Sequence, residues 1–569
     1  MNSRNFNVSR RDALKLAGAA GLAGTLTIYS GRRSFASAAK TYALKVEAGR
    51  IIVDGISSKA VMMGGSVPAP IMRWKEGEEV VIHATNRLEE PTSIHWHGLL
   101  IEGVMDGAPG FNGYVAIQPG ETYTYRFKLR QAGTYWYHSH SSMQEQAGMY
   151  GAIVIDPIGR EPVRANRDYV VVLSDHTRED PMRVLSNLKA DAGYYNRGKR
   201  TLVDFFRDTT RDGFNTAIKD RLDWGDMRMD PTDLADVTGY SFLVNGRGPK
   251  DNWTGLFAPG ERIRLRFINA SAMSFFDVRI PGLPMTVFSA DGQNVQPVRV
   301  DEFRFGVGET YDVVVLPRED KAFTIFAEPI DRSGYARATL APRPGMESAI
   351  PEQRPRTVLG MADMGMAHGG MDHGAMAGGT MGGMDHSKMS QSSMAGMNHG
   401  AMNHGGTTSG PDGGRRPFGW ADASTPLGAK ALGYADLVSA SPHTDNREPT
   451  HEIEVRLTGI MERYMWSLNG RPFGKDEPIK VAYGDRVRLK FVNTTMMAHP
   501  MHLHGMFVEL ENGQKDRKPR KHVVVVPPGK TVSAVLTANE PGDWPFHCHL
   551  LYHMAAGMMT RFIVGQKIA

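Results

Sequence analysis

A chain of 569 residues, 41% hydrophobic and 22% charged, is too long for one small domain and too apolar to be disordered. Its 63 Gly and 33 Pro punctuate short Val, Ile, Phe and Tyr runs, which speaks for β-structure in several domains and against long helical bundles. The formal net charge is +5, but Arg4, Arg10, Arg11, Lys15, Arg32 and Arg33 against Asp12 account for all of it, so the remainder is neutral and nothing favours nucleic acid.

In chain order, the first feature is Ser9-Arg10-Arg11-Asp12, followed by an apolar run from Leu14 to Tyr29 and then Ala36-Ser37-Ala38. This resembles a twin-arginine signal peptide over residues 1–38, cleaved after Ala38. The resemblance implies passage through the twin-arginine export machinery to the periplasm, a route that carries folded proteins and often their cofactors. Ala13 stands where a larger apolar residue is more usual, and a plain basic tail is the alternative. The apolar run is too short and weak for a membrane span, and no other stretch suits one. Cys548 is the one cysteine, so no intramolecular disulfide can form.

One phrase then occurs three times, as Glu76 to Asn86 (EGEEVVIHATN), Pro259 to Asn269 (PGERIRLRFIN) and Tyr483 to Asn493 (YGDRVRLKFVN). Each is a glycine turn followed by a strand that alternates with period two, one face buried and one in water. A second glycine turn follows each, at Gly120, Gly308 and Gly529, at nearly constant spacing. A β-sandwich unit is therefore present in three copies. The expected domains are 39–160, 161–345 and 446–569. Residues 346–445 form a linker whose tract 361–404 holds 11 of the 33 Met and 5 of the 20 His. The middle unit carries an extra polar stretch, 183–237, predicted to be part helical.

Twenty His placed at random would give roughly 0.7 His-x-His pairs, a count that tests the pattern. This chain has four: His95/His97, His138/His140, His502/His504 and His547/His549. All lie in the first and third units. On a strand, residues i and i+2 share a face, so each pair presents two imidazoles side by side. Eight neutral imidazoles suit copper better than oxygen-loving ions, although zinc suits any one pair. Cys548, with His553 five residues on, Met558 ten residues on and His499 from another loop, matches the two-His, one-Cys, weak-Met set of a blue-copper centre. His83, His176, His443, His451 and His522 match no ligand pattern.

Together the segments His95-Trp-His-Gly98, His138-Ser-His140, His499-Pro-Met-His-Leu-His-Gly505 and His547-Cys-His-Leu-Leu-Tyr-His553 to Met558 resemble the four signature segments of the multicopper oxidases. The Met/His tract narrows the resemblance to the periplasmic copper-resistance protein A type, laccase-like cuprous oxidases. The resemblance implies an all-β chain of three cupredoxin-like Greek-key β-sandwich domains. It implies four copper ions: type 1 on His499, Cys548 and His553 with Met558 axial, type 2 on His95 and His502, and a type 3 pair on His97, His138, His140, His504, His547 and His549. Electrons are then expected to pass from Cys548 through His547 and His549, with dioxygen as acceptor. Asp106 resembles the acid that supplies protons in relatives, although Asp-Gly is also an ordinary turn pair. Met554 stands where some cuprous oxidases carry an acid.

For the reductant, thioether prefers Cu(I). Met371/His373, Met384/His386, Met397/His399 and Met402/His404 repeat a Met-polar-His unit that offers additional Cu(I) sites, and further Met crowd the third-unit segments. The expected reaction oxidises Cu(I), and phenols as a second class, in copper resistance. A copper-sequestering protein with incidental oxidase activity is the alternative, and a biased-composition linker the plain reading of the tract.

Overall fold

The computed structural model describes residues 40–227, 229–360 and 425–565. The signal-like segment 1–38 and the tract 361–404, with its Met371, His373, Met384, His386, Met397, His399, Met402 and His404, lie outside the described residues.

The three repeated phrases become three strands with the same neighbours. Glu79–Asn86 pairs parallel with Lys40–Val53 and antiparallel with Thr122–Lys128. Ile263–Asn269 does the same with Arg167–His176 and Thr310–Val315. So does Arg486–Asn493 with His451–Ile460 and Thr531–Thr537. The glycines that open the phrases, Gly77, Gly260 and Gly484, have φ of +84°, +87° and +85°, a region that a side chain resists.

Each phrase closes on a buried asparagine doing one job three times. Asn86 donates from Nδ2 to Glu90 O and Ile117 O, both at 2.8 Å, and Asn269 to Ser274 O and Phe305 O, both at 3.0 Å. Asn493 donates to Met497 O at 2.7 Å and Val526 O at 3.0 Å. In all three the side-chain oxygen accepts the N–H two residues on, from Leu88, Ser271 and Thr495. The side-chain amide replaces backbone partners where the strand ends, and so fixes the path of the loop that follows. In the first and third units that loop delivers histidines.

The first unit has sheets of four and three strands, the second has two of six, and the third has one of six and one of five. Their facing apolar sides form the cores. The stretch between the second and third units is partly packed: Leu359 and Leu437 are buried, and Ala431–Leu432 extends a sheet of the second unit beside Glu302–Phe305.

The polar insert contains α1 (Pro181–Ala190), α2 (Leu202–Asp212) and α3 (Phe214–Asp226). Asp180 caps α1 by accepting from Met182 and Arg183, with Pro181 at its first position. Thr201 and Asp204 form a reciprocal capping box on α2. Val184, Leu185, Leu188 and Trp224 bury the insert against the core, and the segment after α3 carries Asp236 to the third unit. Among the described residues no helix is long and apolar enough to cross a membrane.

Candidate metal centres

Backbone pairing brings the histidine pairs together. His95 and His138 form a two-way bridge, N–H to O at 2.8 and 3.1 Å. In the third unit His499–Leu503 lies against Gly542–Cys548, with Met501 opposite Cys548 and His502 opposite His547. Where the first and third units meet, the eight imidazoles form one nest. His140 is partly exposed, and the other seven are buried.

Contacts on the outer ring nitrogens fix which nitrogens face inward. Nδ1 of His95 lies 2.9 Å from Asp106 O, that of His138 3.0 Å from Ser139 O and 2.6 Å from Glu145 Oε2, and that of His502 2.8 Å from His522 O. His504 Nδ1 donates to Asp106 Oδ2 at 2.8 Å, and His547 Nδ1 to Cys548 O at 2.9 Å. Each such bond puts the proton on Nδ1 and leaves the Nε2 lone pair pointing inward. The Nε2 atoms of His95, His138 and His502 have no hydrogen-bond partner, and those of His504 and His547 stand 3.1 Å apart, lone pair to lone pair. His140 Nε2 is 3.4 Å from His547 Nε2, and His97 Nδ1 faces His549 Nε2 at 3.2 Å.

The charges agree. Burial first, then neighbouring imidazoles, holds His97, His138, His140, His502, His504 and His549 well below the ordinary histidine value, and burial pushes His547 down to about 4. Burial thus favours the neutral form of these seven rings, and a cation is what can reconcile the converging lone pairs. That donor set fits copper.

The second centre is one residue away along the strand. Nδ1 of His499 and of His553 are 3.1 Å apart and lie 3.6 and 3.7 Å from Cys548 Sγ. Their outer nitrogens are occupied: His499 Nε2 meets Thr495 Oγ1 at 2.7 Å, and His553 Nε2 meets Asp236 Oδ2 at 2.6 Å. Trp466 stacks on His553 with centroids 3.9 Å apart. Burial pushes the Cys548 thiol up, so only a bound cation makes it a thiolate here. Met558 is buried, and its carbonyl accepts the Cys548 N–H at 3.0 Å. Two imidazoles, a thiol and a neighbouring thioether suit the blue-copper set.

Asp106 is buried between the units. Its Oδ2 holds His504, and its Oδ1 lies 3.3 Å from His95 Nδ1 without a hydrogen bond. Three contributors went unread in the sequence: Glu145 on His138, Asp236 on His553, and His522. Asp236 reaches His553 from 317 positions away, so no local pattern announces it. His83, His176, His443 and His451 bond to Thr124, Ser58, Lys518 O and Thr450. Burial pushes His522 down to about 4.

Sequence models of a family described as multicopper oxidase match residues 45–159, 167–351 and 446–567. The chain is 46% identical to copper resistance protein A of Escherichia coli over 609 aligned positions, covering 99% of this chain and 100% of that protein. It is 48% identical to the copper resistance protein A homolog of Pseudomonas syringae pv. tomato, with 91% of each covered. Among solved structures, Fet3p, a multicopper oxidase that functions in iron import, gives a TM-score of 0.65 at 18% identity, covering 92% of this chain and 90% of that one. The laccase from Botrytis aclada gives 0.63 at 21%, covering 92% and 87%. At these identities the structural likeness speaks for the fold alone. Three consecutive family matches and near-full-length identity coincide with a nest whose lone pairs require cations, and the chain belongs to the multicopper oxidase family, oxidoreductases of three cupredoxin-like sandwiches with copper as cofactor.

Proposed function

We propose that this chain oxidises Cu(I), with phenols as a second class of reductant, one electron at a time and reduces dioxygen to water with four electrons, in copper resistance after export to the periplasm. One observation carries the reading: the Cys548 set and the eight-imidazole nest meet at the end of one strand, Gly542–Cys548, where the backbone joins Cys548 directly to His547 before it and His549 after it. Support for Cu(I) comes from the names of the full-length relatives and from the Met/His tract.

His499, Cys548 and His553, with Met558, would hold the type 1 ion. His95 and His502 would hold the type 2 ion, and His97, His138, His140, His504, His547 and His549 the type 3 pair. Bound there, copper supplies one-electron redox change at each ion and, across four ions, the electrons that dioxygen needs.

The protein's own groups orient and protonate. Asp106 fixes His95 through its backbone carbonyl and His504 through Oδ2, so one residue registers the first unit against the third. Its unpartnered Oδ1 is the atom that can carry a proton into the nest. Glu145 fixes His138, and Asp236 fixes His553 while accepting from Tyr464 at 2.9 Å. Trp466 and Met496, Met497 and Met501 exclude water around the thiol set.

The test is oxygen uptake on adding Cu(I), or a phenol, to protein of measured copper content. Cys548→Ser should abolish uptake and the blue thiolate absorption while leaving copper on the histidines. A blue, active variant would overturn the assignment, and tight copper binding by the wild type without oxygen uptake would favour sequestration.

A further inference from the structure

Among the described residues, His522 is the one buried histidine outside the family signature whose ring has no hydrogen bond: Nε2 has no partner, and the Asp291 carboxylate lies 4.0 Å from Nδ1. Its place is determined by the chain around it. Lys521, fully buried, pairs with Asp291 at 3.1 Å and Glu309 at 2.9 Å, and Asp291 Oδ2 also accepts the N–H groups of His522 and Val523. This buried ion pair and its backbone bonds hold residue 522 against the nest.

The ring it presents there lies among nest residues. Its centroid is 4.8 Å from that of His97 and 5.5 Å from that of His502, both near edge-to-face. Rings that converge on one centre elsewhere in this chain are spaced alike, at 5.0 Å for His499 and His553 and 5.1 Å for His140 and His547. One ring nitrogen each from His97, His502 and His522 lies within 4.8 Å of the other two. Glycine after His97 makes the approach possible, since a Cβ on Gly98 would stand 2.5 Å from His522 Nε2. The Nε2 atoms of His97 and His502 are also without partners. A buried imidazole with no hydrogen bond at either nitrogen is costly to keep, and a cation is what this group of nitrogens can share.

We propose that His522 is a ninth imidazole of the nest and, with His97 and His502, forms a further copper-binding set through which copper reaches the nest. The proposal rests on the reading of the nest as a copper site. His97 and His502 also belong to the sets on either side, so an ion held with His522 competes with complete filling of the nest. Such a set holds copper in passage.

The test uses the full chain, stripped of copper and then supplied anaerobically with Ag(I) as a redox-silent soft probe at less than four ions per chain. An anomalous-scattering peak bonded to His522 together with His97 or His502 is expected, and it should vanish in His522→Phe. Peaks confined to the Cys548 set and the eight histidines would overturn the proposal. In solution, His522→Phe and His522→Gln should both reach the wild-type copper content, with the type 2 electron-resonance signal growing about tenfold more slowly. Equal loading rates would overturn the passage role. Failure of the wild type to place any metal on the eight histidines would instead refute the copper reading, and the proposal with it.

Discussion

Removing copper and lowering the pH from 7.5 to 5 should open the nest locally. Burial pushes His547 in the folded, copper-free chain down to about 4 from an ordinary 6.5. Between those values the unfolded state holds a proton that the folded state refuses. The stabilisation is therefore complete above pH 6.5 and is lost as the pH falls toward 4. At pH 5 the loss from this one imidazole is about 2 kcal/mol, from 1.5 pH units at about 1.4 kcal/mol each. His522, depressed to about 4 by the same burial, adds a similar amount, and the other depressed nest histidines act in the same direction. Hydrogen exchange followed by mass spectrometry on peptides covering 499–504 and 547–553, corrected for intrinsic rates, reads this directly. The copper-free chain should lose at least about thirtyfold of its protection, the equivalent of about 2 kcal/mol. The copper-loaded chain should change little, because the lone pairs are committed to metal. Protection that stays flat with pH in the copper-free chain would refute the argument that these rings are held neutral by burial.

Three other outcomes follow from the geometry. Asp236→Asn removes a charged partner 2.6 Å from His553, so it should cost about 2 kcal/mol of stability. It should also raise the reduction potential of the thiolate site, on the order of 60 mV for each tenfold loss of preference for the oxidised ion, read by redox titration of the blue band. Gly107→Ala should destabilise by at least about 2 kcal/mol in thermal unfolding and lower type 2 copper content, because a Cβ there would stand 1.8 Å from Ile94 O at φ +81°. Deleting 361–404 should reduce copper binding and Cu(I) oxidation more than phenol oxidation in parallel steady-state assays, and equal losses would mark the tract as a spacer.

Much of this was legible because the chemistry is local or periodic. Period-two strands, glycine turns and four His-x-His pairs are written within a few residues of one another, and the backbone geometry of a strand converts them into shared faces. The helix starts were written too, in Asp180-Pro181 and Thr201 to Asp204, although they call for attention to caps rather than to apolar runs. What escaped is long-range. Asp236 acquires its role only because the insert folds back onto His553, and His522 only because a buried lysine ion pair fixes residues 521–523 beside Gly98. Single residues brought together by topology leave no spacing to read.

The nest takes His95 and His97 from near the beginning of the chain and His547 and His549 from near its end. The stretch from His95 to His549 must therefore be synthesised before the nest can bind anything, and a product ending before the strand Gly542–Cys548 would lack it. An ion held by the nest would fasten the first unit to the third, so only a chain that contains both units gains the added stability of binding.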